Sequence, residues 1–112
     1  MSSHSERVYL GDMLDYARKA HGKVAGLSIE QWKADENLTI TVYYFIQTVG
    51  EAASRLPEST RDSLPHLPWR EMIALRHRLV HGYGTVKAER IWEIATRDLP
   101  PLIAALEQHL AT

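Results

Sequence analysis

With 112 residues the chain has room for one modest hydrophobic core and not for two, so a single domain over residues 1–112, with its core at about 5–110, is expected. Its 45% hydrophobic and 24% charged residues exclude a disordered or fibrous chain, and the absence of cysteine removes disulfides and thiolate metal sites. Thirteen Lys+Arg against fourteen Asp+Glu leave a net charge of -1, so any nucleic-acid contact must come from a local basic patch.

Residues 1–7 are polar and lack the apolar run of a secretory leader, and the longest apolar stretch, residues 42–46, is far too short to cross a bilayer. No membrane association and a cytoplasmic location are expected. No repeat, low-complexity tract or Gly/Ser linker marks a domain boundary.

In chain order, residues 5–21 place Tyr9, Leu10, Met13, Leu14, Tyr16 and Ala17 at three- and four-residue steps, which predicts a first helix that Gly22 would stop. Ser28, with Gln31 three positions on, fits a capping box opening a short helix through Trp32, and Asp35 or Asn37 would start the next. Residues 39–45 are β-branched and aromatic enough to pass for a strand. The stripe Val42, Phe45, Ile46, Val49, Ala52, Ala53 and Leu56 is too long for one, and predicts a central, mostly buried helix.

Pro57, Pro65 and Pro68 leave room for only a short helical turn around residues 58–64. Pro68 suits the first turn of a helix carrying Met72, Ile73, Leu75, Leu79 and Val80, which should stop near His81 because Gly82 and Gly84 tolerate positive φ. A short helix follows over residues 88–97, and Asp98 would cap the last one, with Pro100 and Pro101 in its first turn. The pattern predicts an all-α bundle of about five main helices plus short helical turns. Trp32, Trp69 and Trp92 read as core or interface anchors, and His4, His21, His66 and His109 as surface residues.

The chemistry concentrates in nine residues, Arg76-His77-Arg78-Leu79-Val80-His81-Gly82-Tyr83-Gly84. On an ideal helix Arg76 and His81 stand about 140° apart around the axis, so they share a substrate only if the helix breaks at Val80 or His81 and the imidazole swings back. Phosphodiester cleavage by a ribose 2′-OH needs a base near neutral pH and a cation for the phosphate, and His and Arg supply both without a metal. Other readings stay open at this point. Arg76 and Arg78 also fit a solvated or ion-paired face, and His81 a helix C-terminal residue favoured by the macrodipole. His77 and His81, four apart, also fit two nitrogens on one metal, although no third ligand is evident. Tyr83 also fits an exposed loop aromatic.

The order Arg76, His81, Tyr83 resembles the motif of the HepT-like branch of the HEPN superfamily: Arg, four residues, His, any residue, Tyr. The resemblance extends to Pro68-Trp69-Arg70-Glu71 leading into the motif helix, Gly50-Glu51-Ala52 on the long helix, Ile91-Trp92 after the loop and Asp98-Leu99-Pro100 before the last helix. The family commonly carries a polar residue, often Asn, after the motif arginine, where this chain has His77.

The resemblance implies a HEPN-type helical bundle acting as a metal-independent endoribonuclease without a cofactor, the toxin of a type II toxin–antitoxin system. Arg76 and His81 from two protomers of a homodimer would line a shared cleft, with Tyr43 and Tyr44 of the central helix as aromatic anchors of the contact. His81 would be the base toward the 2′-OH, Arg76 would hold the scissile phosphate, Arg78 would contact flanking phosphates and His77 would assist or orient Arg76. The expected product is a 2′,3′-cyclic phosphate. The implied partner is an MntA-like minimal nucleotidyltransferase antitoxin that transfers AMP onto Tyr83. The alternative is a non-catalytic dimeric helical module that binds the nucleotidyltransferase or a nucleotide.

Overall fold

A computed structural model describes residues 4–111, His4 by its backbone alone. The first helix, α1 (His4–Val24), buries Leu10, Met13, Leu14, Ala17, Ala20 and Val24 along one stripe. It runs through Gly22, the predicted stop. The stop is Gly26, whose φ of 79° no L side chain adopts readily, with the Ala25 and Leu27 amides returning to the His21 and Val24 carbonyls.

The Ser28 capping box forms as predicted and opens α2 (Ile29–Ala34): the Ser28 hydroxyl accepts from the Gln31 amide at 3.1 Å, and the Gln31 side chain accepts from the Ser28 amide at 2.9 Å. Asp35 then caps α3 (Glu36–Ser54), accepting from the Leu38 amide at 3.0 Å. The β-branched stretch is helical because tertiary burial of Val42, Ile46, Val49 and Ala53 overrides local propensity. Its polar members are accommodated within the helix, the Thr39 and Thr41 hydroxyls donating to the Asp35 and Asn37 carbonyls.

After the short α4 (Glu58–Asp62) comes α5 (Trp69–His81), then a 3₁₀ turn (Tyr83–Thr85) and α6 (Ala88–Glu93). A π-helical turn (Ile94–Asp98) joins α6 directly to α7 (Leu99–Leu110), so the two expected C-terminal helices form one continuous rod. Asp98 is not a cap: its backbone is helical, its side chain makes no capping bond, and its carboxylate lies 3.3 Å from Arg90. The wide turn explains how the rod survives Pro100 and Pro101. Two successive residues without N–H interrupt the ladder, and the Leu99 amide donates five residues back, to Ile94, just before them.

Every regular element among the described residues is helical, and the fold is all-α. α3 lies between α1 and α5, while α7 covers α1. Leu10, Met13, Ile91 and Leu106 are fully buried, each stabilising the fold by roughly 1.5–3 kcal/mol relative to exposure. Between α3 and α5 the backbones approach closely at Gly50, where a Cβ would come within 2.6 Å of the Arg76 Cβ and 2.8 Å of the Met72 carbonyl oxygen. Contacts of Gly50 with Arg76 and of Tyr43 with Tyr83 set the two helices antiparallel, so the motif end of α5 lies beside the first half of α3. Among the described residues no helix is long and apolar enough to cross a membrane.

Candidate functional site

α5 ends by folding its last turn onto itself. The Gly82 amide donates to the Arg78 carbonyl at 2.7 Å, the Thr85 hydroxyl donates to the Gly82 carbonyl at 2.6 Å, and Arg78 Nη2 donates to the Thr85 carbonyl at 2.9 Å. The expected positive φ at Gly82 and Gly84 is not found: Gly82 has φ -153°, and Gly26 is the one glycine of positive φ among the described residues. At Gly82 the restriction is space, since a Cβ there would stand 3.3 Å from the Thr85 hydroxyl oxygen.

The helix also does not break at Val80. It stays regular through His81, which keeps Arg76 and His81 about 140° apart around the axis. Arg76 turns toward α3, where its Nε donates to Glu51 Oε2 at 2.5 Å. Glu51 also receives Arg55, at 3.3 Å, so one carboxylate holds two guanidiniums. His81 instead stands beside His77, ring centroids 4.5 Å apart, and both imidazoles are exposed. No hydrogen bond, ion pair or ring contact among the described residues joins Arg76 to His81. The chain therefore presents two separate groups: an arginine held by a carboxylate, and a pair of histidines, with His77 followed in sequence by Arg78.

Tyr83 is placed by an aromatic chain running out of the core. Trp92 packs on Trp32 at 5.6 Å, Trp32 stacks on Tyr43 at 6.4 Å, and Tyr43 packs on Tyr83 at 5.0 Å. One face of the Tyr83 ring is thus supported while 48% of the residue stays exposed. Tyr43 cannot anchor a second protomer as expected, because it is buried and its hydroxyl donates to the Val86 carbonyl at 2.9 Å. Burial, then the neighbouring Tyr83 and Glu89, raise the Tyr43 hydroxyl above its ordinary pKa of 10.0. Tyr44 remains on the surface with Ile40 and Val80.

Sequence reasoning also misjudged His21, which is half-buried with Nδ1 2.9 Å from the Ala95 carbonyl oxygen. It passed over Glu51 as a partner of Arg76. The signal was a carboxylate beside a glycine on the helix that packs against the motif. Among the described residues no group of three or more His, Asp or Glu gathers in metal-ligand geometry, so the donor set offers no ready metal site.

The family described as Ribonuclease HepT-like matches residues 13–109 of this chain. A protein from Caldanaerobacter subterraneus subsp. tengcongensis whose name proposes an RNase is 31% identical over 96 residues, covering 86% of each chain. "Probable ribonuclease HepT" of Thermococcus cleftensis is 26% identical over 104 residues, covering 93% of this chain and 94% of its own. A Methanocaldococcus jannaschii protein, also named as a proposed RNase, is 24% identical over 108 residues, covering 96% and 89%. No solved structure matches the chain.

Proposed function

The chain belongs to the HepT-like ribonuclease family, and from that membership together with the geometry of α5 we propose that it is a toxin endoribonuclease working through a site completed by two protomers. The observation that carries this reading is the separation of the motif within one chain: Arg76 faces Glu51 on α3, while His81 lies with His77 on another side of α5. A second copy related by a two-fold axis would bring the His81 of one protomer to the Arg76 of the other. Ile40 and Tyr44, one turn apart on α3, and Val80 on α5 supply exposed apolar surface for that pairing.

In the composite site His81 takes the proton of a ribose 2′-OH, and the oxygen attacks the adjacent phosphorus. The bond to the 5′-oxygen of the next nucleotide breaks, leaving a 2′,3′-cyclic phosphate and a 5′-hydroxyl. Arg76, held through Nε by Glu51, has its Nη groups to offer the phosphate oxygens, and Arg78 a remaining donor for a neighbouring phosphate. None of these steps calls for a cofactor. The cognate antitoxin, a minimal nucleotidyltransferase, silences the site by transferring AMP from ATP onto Tyr83.

The test is cleavage of RNA with and without EDTA by the wild type, Arg76→Ala and His81→Ala. Either substitution should lower the rate by about a hundredfold or more, and chelation should leave the wild-type rate unchanged. A His81→Ala protein as fast as wild type would remove the assignment. A mixture of the two inactive variants should regain activity if the site is composite, because mixed dimers hold one site with both residues intact.

A further inference from the structure

On the exposed side of α5 an open groove of about 820 Å³ leads from His77 and Arg78 along the helix to its start and on to α4. Ile73 and the edge of Trp69, which is 8% exposed, give it an apolar floor, and Arg61, Arg70 and Arg78 line it as well. Trp69 is fixed there, its indole N–H donating to the Leu64 carbonyl at 2.8 Å.

Of the thirteen Lys and Arg, six are engaged in ion pairs among the described residues, namely Arg18, Lys19, Lys33, Arg55, Arg76 and Arg90. Of the seven in none, Arg7, Lys23, Lys87 and Arg97 lie elsewhere, and Arg61, Arg70 and Arg78 share this groove. Three unpaired guanidiniums thus converge on one depression beside the histidine pair. Arg61 adds a second signal, because its Nε is buried without a hydrogen-bond partner. Such a group, stripped of water on one edge and uncompensated there, favours an anion at its free edges. Two carboxylates, Glu58 and Asp62, also line the groove, both at the α4 end.

We propose that this groove is the binding track for single-stranded RNA flanking the scissile bond, with Arg70 and Arg61 on successive phosphates and a nucleobase lying over the Trp69–Ile73 floor. Its chemistry matches that ligand better than an acidic peptide. Apolar surface between guanidiniums takes planar bases, and arginine both stacks on bases and forks onto phosphate. At the α4 end Glu58 and Asp62 would repel the carboxylates of an acidic peptide, but can accept from the exocyclic amines of bases. The track opens directly onto His77, so the strand it holds is continuous with the one to be cut. The inference rests on the ribonuclease reading, although its test does not use cleavage.

The test is binding of a fluorescent single-stranded RNA about ten nucleotides long to the His81→Ala protein, carrying in addition Arg70→Gln, Arg61→Gln, both, or Arg97→Gln. Arg97 is an equally unpaired cation that lies outside the groove, in the cleft between α5 and α7. The double groove variant should bind on the order of tenfold more weakly, and its slope of log affinity against log salt should flatten by about 1.4, at roughly 0.7 per phosphate contact on a single strand. Arg97→Gln should leave both unchanged. Arg70 is exposed, so its single variant keeps the test sound even where Arg61→Gln costs stability, and thermal melting identifies that case. Unchanged affinity in Arg70→Gln, equal loss in Arg97→Gln, or no RNA binding in the parent would each overturn the track. Groove variants that lose poly-glutamate but keep RNA would reassign it to a protein partner. RNA bound through the groove but never cleaved by the wild type would defeat the ribonuclease reading while leaving the track standing.

Discussion

Glu51 Oε2 accepts the Nε–H of Arg76 at 2.5 Å across the α3–α5 contact, and the neighbouring Gly50 makes that distance attainable by letting the two backbones approach. An arginine bonded through Nε keeps both Nη groups for a ligand, so the carboxylate orients the guanidinium without occupying the part that would meet a phosphate. Glu51→Gln keeps the shape and removes the charge. It should fold with little change in melting temperature, because a partly exposed pair contributes about 1 kcal/mol or less, yet lower RNA cleavage about tenfold by loosening Arg76. A cleavage rate that stays level or rises would show that Glu51 competes with the substrate for Arg76.

Gly50→Ala tests the same contact from the backbone side. The added methyl group would lie 2.6 Å from the Arg76 Cβ and 2.8 Å from the Met72 carbonyl oxygen, and a backbone atom cannot step aside. The helices must separate, which should cost about 1–3 kcal/mol and lower Tm by roughly 5–15 °C. Cleavage measured well below Tm should fall as well, since Arg76 moves with α5. An alanine variant melting with the wild type would mean that the two helices close against each other less tightly than the geometry requires.

The Tyr43 hydroxyl carries a stability signal with a defined pH window. Its bond to the Val86 carbonyl ties α3 to the segment after the motif, and Tyr43→Phe would leave that carbonyl without its partner, costing about 1–3 kcal/mol. Because burial holds the neutral phenol in the folded protein, the folded pKa exceeds the unfolded value of 10.0. The tyrosine's contribution is then fully present below pH 10 and declines as pH rises through the folded value. Denaturant melts at pH 7, 9 and 11 should show a constant gap between wild type and Tyr43→Phe at the two lower values and a narrower gap at the highest. A gap that widens at pH 11 would reverse the assigned sign.

The elements were legible in the sequence wherever one local signal decided them. The Ser28 box and the long stripe of α3 depend on side chains within a few residues of one another and stand in the fold as read, while of the two caps offered for α3, Asp35 and Asn37, the structure uses Asp35. The stop at Gly26 and the continuous rod through Pro100 were not legible, because two glycines lie near the end of α1 and a π turn leaves no distinctive residue pattern. The site divides in the same way. Arg76, His77, Arg78, His81 and Tyr83 stand out as a run of chemistry-bearing residues, whereas Glu51, Arg61 and Arg70 join it only through the packing of α3 on α5 and the return of α4 beside α5. Tyr43 shows the limit most directly. An aromatic on a central helix suits an interface or a core equally well, and only the distant Val86 carbonyl decides for the core.

Tyr83 is built to be presented rather than to be mobile. Its ring rests on Tyr43 at 5.0 Å, the 3₁₀ turn around it is pinned by Thr85 to Gly82 and by Arg78 to Thr85, and nearly half of the residue is exposed. A nucleotidyltransferase would meet a phenol at a fixed place two residues beyond His81, with the flanking Gly84 offering no side chain in the way. Attack of the Tyr83 oxygen on the α-phosphorus of ATP would form the tyrosyl–phosphate bond and expel pyrophosphate, leaving one phosphodiester charge two residues beyond His81. That charge would compete for the cations and imidazoles proposed to serve the RNA backbone, and the adenosine would fill the approach to them, so inhibition would require no change of fold. Incubating the wild type with the cognate nucleotidyltransferase, ATP and magnesium should add AMP, in intact-mass spectra, to the peptide that contains Tyr83, and RNA cleavage should disappear in proportion. Tyr83→Phe should keep its ribonuclease activity through the same incubation, because the phenyl ring preserves the packing on Tyr43 and lacks the nucleophile. AMP mapped to another residue, or a Tyr83→Phe protein modified and silenced as readily as the wild type, would rule out this tyrosine as the switch.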